Sequence, residues 1–217
     1  MTAAPLSGSA REPAAGGPAR SLVVLLHGWG ADGDDLIGLA DEWAPRLPHS
    51  RFVAPNAPEV CDDNPFGRQW FSFRDCDPAA LAAGAARARV VIDAFLDAEL
   101  ARLGLGGERL ALAGFSQGAM MALHVGLRRP CAAVVSYSGA LIDGASLAAE
   151  GRASPPVLLV HGDADPVVPP AELDRAAAAL TALGVPVRRH LARGLGHGID
   201  AQGLSLGAAV LAEALTE

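Results

Sequence analysis

RLALAGFSQGAMMALHVGLRR, Arg109 to Arg129, is the stretch that decides the fold. RLALAGF is a short apolar run of strand character, and QGAMMALHVGLRR is a helical run whose Met120, Met121 and Leu123 to Leu127 positions suit packing on a sheet. Between them Gly114 and Gly118 flank Phe115, Ser116 and Gln117. A strand that feeds a tight turn and then a helix lifts the central serine above the sheet, and small flanking residues let the backbone fold that sharply. The pattern GxSxG recurs as GLSLG, Gly203 to Gly207, but that copy follows HGIDAQ, which has no strand character, and its leucines fit the apolar face of a terminal helix. Ser116 is therefore the candidate nucleophile, and Ser205 is an ordinary helix position.

The rest of the chain supplies the frame that such a turn needs. SLVVLL from Ser21, RFVAP from Arg51, AAVVSYSG from Ala132, PVLLVHGD from Pro156 and VPVRRHLA from Val185 all read as strands that end in turns. Alanine-rich helical stretches separate several of them, the alternation of a parallel sheet covered on both faces. The clearest helix starts at Asp77 and Pro78, a cap followed by a proline at the first helical position, and stops near Gly104. Leu81, Ala85, Ala88, Ile92, Phe95 and Leu103 form its expected apolar face, with Arg89 and Asp93 expected to pair on the outside. Further helices are expected from about Ala171 to Leu183, stopped by Gly184, and from about Ala201. The expectation is an α/β fold in one domain over residues 21–217, preceded by a segment 1–20 that is flexible or forms a short edge strand.

Composition narrows the function classes. Hydrophobic residues make up 51% of the 217 and charged residues 19%, which suits a folded globule. A net charge of −7 without basic clusters argues against a nucleic-acid partner. Three cysteines without CxxC spacing argue against a disulfide framework or a zinc site and fit a reducing cytoplasm. No run suits a membrane span, and the Ala/Gly/Pro-rich start lacks the apolar core of a signal peptide.

A serine hydroxyl attacks only if a base takes its proton and an acid holds that base, and the strand–turn–helix hydrolases present them in the order Ser, acid, His. His124 falls inside the helix after Ser116, His161 precedes the best acids and His190 lies in a strand. His197, in the Gly-rich loop GLGHGID, is the favoured base. HGDADPVVP offers Asp163 and Asp165, and Asp165 is preferred because the following proline holds it extended. Asp163 is left to cap the turn, and Asp143, after the preceding strand, is an outside alternative. The amides of Gln117 and of Trp29, in HGWG, are the candidate oxyanion donors. His27, which precedes the serine, is read as bracing that loop.

Four segments, LHGWGADGDDL, GRQWF, GFSQGAMMAL and HGDADPVVP with the later GLGHGI, resemble the phospholipase/carboxylesterase family, which includes acyl-protein thioesterases and small bacterial carboxylesterases. The resemblance runs from about Leu22 to the C-terminus. It implies an α/β-hydrolase fold with a sheet of about seven strands, a Ser116–Asp165–His197 triad, Trp29 and Gln117 as oxyanion donors, and small acyl esters or thioesters as substrates. It also implies that Phe66, Trp70 and Phe71, in PFGRQWF, line the acyl pocket, the alternative being that they anchor a long loop on the core. The expected activity is that of a serine carboxylesterase, with thioesterase or lysophospholipase activity, or a silent binding module, as rivals. No metal or organic cofactor is expected, and the protein is expected to be a monomer or homodimer.

Overall fold

Every residue of SLVVLL is buried, as a strand covered on both faces must be. In a computed structural model, which describes residues 6–150 and 153–215, this run is strand β2 (Ser21–Leu26) near the middle of the main sheet. The elements that follow β1 (Gly8–Arg11) and β2 are α1 (Gly33–Ile37), α2 (Leu39–Trp43), β3 (Ser50–Pro55), and the hairpin strands β4 (Glu59–Val60) and β5 (Arg68–Gln69). Next come α3 (Pro78–Leu103), β6 (Leu110–Phe115), α4 (Gln117–Gly126), β7 (Ala133–Tyr137), α5 (Gly144–Ala149) and β8 (Val157–Gly162). The chain then runs through α6 (Ala171–Ala182), β9 (Val187–Ala192) and α7 (Ala201–Leu215).

The main sheet has seven strands in the order β1-β3-β2-β6-β7-β8-β9. All neighbours pair in parallel except β1, which runs antiparallel along β3 with Gly8 opposite Pro55 and Arg11 opposite Phe52. The N-terminal segment thus contains a four-residue edge strand.

Alternation along β2 sorts the core into two layers. Leu22, Val24 and Leu26 face a layer with Ile92 of α3, Leu123 of α4 and Leu180 of α6. Val23 and Leu25 face the opposite layer with Ile37 of α1, Trp43 of α2 and Leu211 of α7. A fully buried leucine or valine contributes about 1.5–3 kcal/mol relative to an exposed one, so a central strand with both faces covered is a large share of the stabilisation. The opposite edge strand, β9, is largely open to solvent, and Arg188 and Arg189 on it pair with Glu213 and Asp174. Charged edge residues of this kind discourage pairing with another chain.

Helix α3 has the expected ends. Asp77 accepts from the amides of Ala79 and Ala80, a cap typically worth about 1 kcal/mol, and Gly104 closes the helix at φ 67°. Its buried stripe is Ala85, Ala88, Ile92, Leu96 and Leu100, with Phe95 and Leu103 only partly covered. The expected Arg89–Asp93 pair is replaced by tertiary contacts. Asp93 Oδ1 accepts from Arg129 Nη1 at 2.9 Å, and Arg89 instead approaches Glu150 at 3.9 Å. The end of α4 brings Arg129 to Asp93, where its reach outcompetes an exposed pair along the helix.

Candidate active site

Ser116 stands between the end of β6 and the start of α4 with φ 54° and ψ −119°, a backbone conformation that a non-glycine residue adopts only under compulsion. The compulsion is steric. A Cβ on Gly114 would lie 2.3 Å from the carbonyl oxygen of Gly118, and one on Gly118 would lie 1.9 Å from that of Leu26. Only hydrogen at both positions lets the helix start directly against the strand ends, so the pattern GxSxG is a packing requirement here. The glycines of GLSLG have another reason. They lie within α7 where it crosses Tyr137, whose hydroxyl donates to the carbonyl of Gly203 at 3.1 Å, and Ser205 is exposed on the helix surface.

Asp165 follows β8 in a turn whose backbone serves its own carboxylate. Oδ1 accepts from the amides of Val167 at 2.8 Å and Val168 at 2.9 Å, and Oδ2 accepts from His197 Nδ1 at 2.7 Å. Burial by itself would raise the Asp165 carboxyl, but donation from His197, Val168 and Val167 leaves it below its ordinary value, so it stays ionised. Asp163 lies outside this arrangement and accepts from the amide of Gly194 at 2.6 Å. Asp143 stands at the start of α5, 3.9 Å from Arg128.

The loop carrying His197 is tied down from several sides. Ala164 N–H donates to Leu195 O at 3.0 Å, and Ser138 Oγ donates to Gly198 O at 3.2 Å. His190 on β9 contacts Asp200 at 3.1 Å, and Asp200 also caps the first turn of α7. His190 therefore clasps the base of the loop. The ring of His197 packs on Phe115, the neighbour of Ser116, with centroids 4.8 Å apart.

His27 is wholly buried at the end of β2. Its Nδ1 donates to Gly28 O at 2.8 Å and its Nε2 accepts from Ala57 N–H at 3.0 Å, so its partners define a neutral tautomer. Burial lowers its pKa in the same sense. The following loop is pinned through Gly30 N–H to Arg68 O and Arg68 N–H to Ala31 O, and Trp29 donates its indole N–H to Gln69 at 3.0 Å. Trp70 joins the two sides of the site. Its indole donates to His27 O at 2.9 Å, and its amide donates to Gln117 Oε1 at 2.9 Å, while Gln117 Nε2 donates to Phe71 O at 2.7 Å. The Gln117 side chain is a clasp on the 69–73 segment.

Ser116 and His197 open onto one cleft of about 860 Å³ at the carboxyl ends of the strands. Its apolar wall includes Trp29, Phe73, Leu81, Met120 and Val168. The expected pocket aromatics are not on this wall. Trp70 and Phe71 are 1% exposed and belong to the core, and Phe66 is 93% exposed at the tip of the β4–β5 hairpin. The Gln117 clasp turns residues 70 and 71 inward, Phe71 packs tightly against Gly84 of α3, and Phe73 then faces the cleft. The sequence signal for Phe73 was its place in the same aromatic run, WFSF, but only the clasp tells which aromatics turn outward.

Residues 12–212 match the family model for phospholipase/carboxylesterase. The chain belongs to that family. It is a serine hydrolase of the α/β-hydrolase fold. Among curated relatives, esterase YpfH of Escherichia coli is 33% identical over 84% of this chain and 78% of its own length. Acyl-protein thioesterase 1 of Schizosaccharomyces pombe is 32% identical over 69% of this chain and 70% of its own. Among solved structures, esterase PE8 is 46% identical with a TM-score of 0.92, covering 98% of this chain and all of that one. Among the described residues no helix is long and apolar enough to cross a membrane.

Proposed function

We propose that this family member is a carboxylesterase that hydrolyses acyl esters through Ser116, His197 and Asp165. The observation that carries the reading is the 2.7 Å contact between His197 and the buried Asp165 carboxylate, beside a Ser116 held in strained geometry on the same apolar cleft. His197 Nε2 takes the hydroxyl proton as Ser116 Oγ bonds to the substrate carbonyl carbon, and Asp165 stabilises the imidazolium. The amides of Trp29 and Gln117 receive the oxyanion. Collapse breaks the bond to the leaving alcohol, which leaves with the proton from His197, and an acyl-serine remains. Water, deprotonated by His197, then attacks the acyl carbon and releases the carboxylic acid while Ser116 regains its proton.

A second reading, acyl-protein thioesterase, is favoured by the likeness to the yeast enzyme of that name. The same steps serve a thiol leaving group. A fluorophosphonate probe should label the protein once and fail on Ser116→Ala, and unchanged labelling of the variant would refute the assignment. A panel of matched p-nitrophenyl esters and acyl-thioesters of short and long chains then divides the readings. The ester reading expects kcat/KM for esters to equal or exceed that for thioesters, and a strong thioester preference would replace it.

A further inference from the structure

His161, at the end of β8, is 1% exposed, and no step of the acyl transfer uses it. Its Nε2 faces two acceptors, the carbonyl oxygen of Val168 at 2.9 Å and Asp165 Oδ2 at 3.2 Å. A nitrogen facing two acceptors must carry the proton. Val168 is also the residue whose amide donates to Asp165 Oδ1. One imidazole therefore grips the far end of the acid's own turn through the Val168 carbonyl and holds its Nε2 3.2 Å from the oxygen that binds His197.

We infer that His161 is a positioning residue for Asp165, fixing the 165–168 turn through the Val168 carbonyl and sharing the negative charge of Oδ2 with His197. The inference rests on the reading of Asp165 and His197 as acid and base. The Asp165 side chain is wholly buried, with Val167, Val168, His197 and His161 around its two oxygens. Without His161, Oδ2 keeps only His197, the Val168 carbonyl loses its donor, and the turn is free to shift. Small displacements of a catalytic constellation are costly to rate. The electrostatic consequence has a definite sign. The His161 N–H, 3.2 Å from Oδ2, stabilises the carboxylate and weakens its pull on a proton at His197, so removal of that N–H favours the imidazolium.

The test compares His161→Leu, which removes the donor, with His161→Gln, whose side-chain amide can restore it. kcat and KM for a soluble p-nitrophenyl ester are measured across pH 5 to 9 alongside the melting temperature. For His161→Leu the expected result is a plateau kcat lower on the order of tenfold with KM little changed, and an acid limb displaced upward by about 0.5 in pH. His161→Gln should recover most of both. The titratable groups that share the cleft with His197 are Asp35, Asp62, Asp63, Arg74, Cys76 and Glu172, and Glu172 also lines the small cavity against His161. They are common to all variants, so a displaced limb reports the Asp165–His197 pair. A wild-type kcat and limb in His161→Leu would overturn the inference, as would a His161→Gln variant that melts like wild type yet has lost kcat as fully as His161→Leu. If His161→Leu does not fold, His161→Gln decides by the same criterion: retained kcat and limb support the inference, and their loss in a folded protein refutes it. Failure of the triad reading is distinct, because the wild-type protein would then show neither esterase turnover nor Ser116-dependent labelling.

Discussion

Ser116 and Gln117 are adjacent and are constrained in different ways. The serine is held by two glycines that belong to its own turn, so its position between strand and helix could be read from five letters and their flanks. The glutamine is wholly buried, and its amide group joins Trp70 and Phe71, more than forty residues away in sequence. Gln117→Glu keeps the backbone N–H and the acceptor for Trp70 but sets a carboxylate oxygen against the Phe71 carbonyl. A buried polar group deprived of its partner costs about 1–3 kcal/mol. The variant should melt earlier, and kcat at saturating ester should fall further than KM rises, as displacement of the 69–73 segment disturbs Trp70 and, through it, His27. Calorimetry with steady-state kinetics checks this, and a variant with wild-type kcat would show the clasp to be irrelevant to the chemistry. That Asp165 and His197 would meet was legible because an Asp-Pro loop and a Gly-rich histidine loop follow consecutive strands. His161 was not, because its role depends on a turn folding back over it.

At the scale of elements, α4 and the segment carrying α5 are locked by a neutral histidine beside an arginine, and the histidine titrates. His124 donates to the Ile142 carbonyl and its Nδ1 lies 3.2 Å from Arg128, whose guanidinium also reaches Ser146 and Glu150. Burial first, and then the charges of Arg128 and Arg89, push the His124 pKa down to about 4. The folded pKa is below the unfolded value of 6.5, so the unfolded chain binds more protons between the two. The contribution of neutral His124 is therefore complete above pH 6.5 and is lost as pH falls toward about 4. Urea unfolding from pH 7 to 4 should show stability declining over this window, and His124→Gln should flatten the decline. An identical slope in the variant would assign the loss to other groups. The same kind of tertiary competition redirected Asp93 from Arg89, its neighbour one turn away, to Arg129.

Across the whole molecule, the sheet has one edge closed by a four-residue strand and the other guarded by charge. β1 covers β3 with antiparallel hydrogen bonds, while β9 carries Arg188 and Arg189. Deletion of residues 1–11 would bare the amide and carbonyl groups of β3, which is mostly buried and apolar. Exposed edges of that kind template association. The shortened protein should elute as larger species in size-exclusion chromatography, whereas a sharp peak at the full-length position would show that β3 does not need its cover.

The sequence by itself determined the strand–helix alternation, the caps of α3, the serine turn and the loops that carry Asp165 and His197 after successive strands. Each of these is encoded by residues that act within one or two turns of themselves, through sterics, proline and glycine backbone preferences, or hydrophobic period. Only the tertiary structure decided that Phe73 and not Trp70 or Phe71 faces the cleft, that Gln117 clasps the loop, that Asp93 pairs with Arg129, and that His161 stands behind Asp165. Those outcomes depend on which distant groups satisfy one another's hydrogen bonds and charges in a common interior, and a pattern along the chain does not specify that distance.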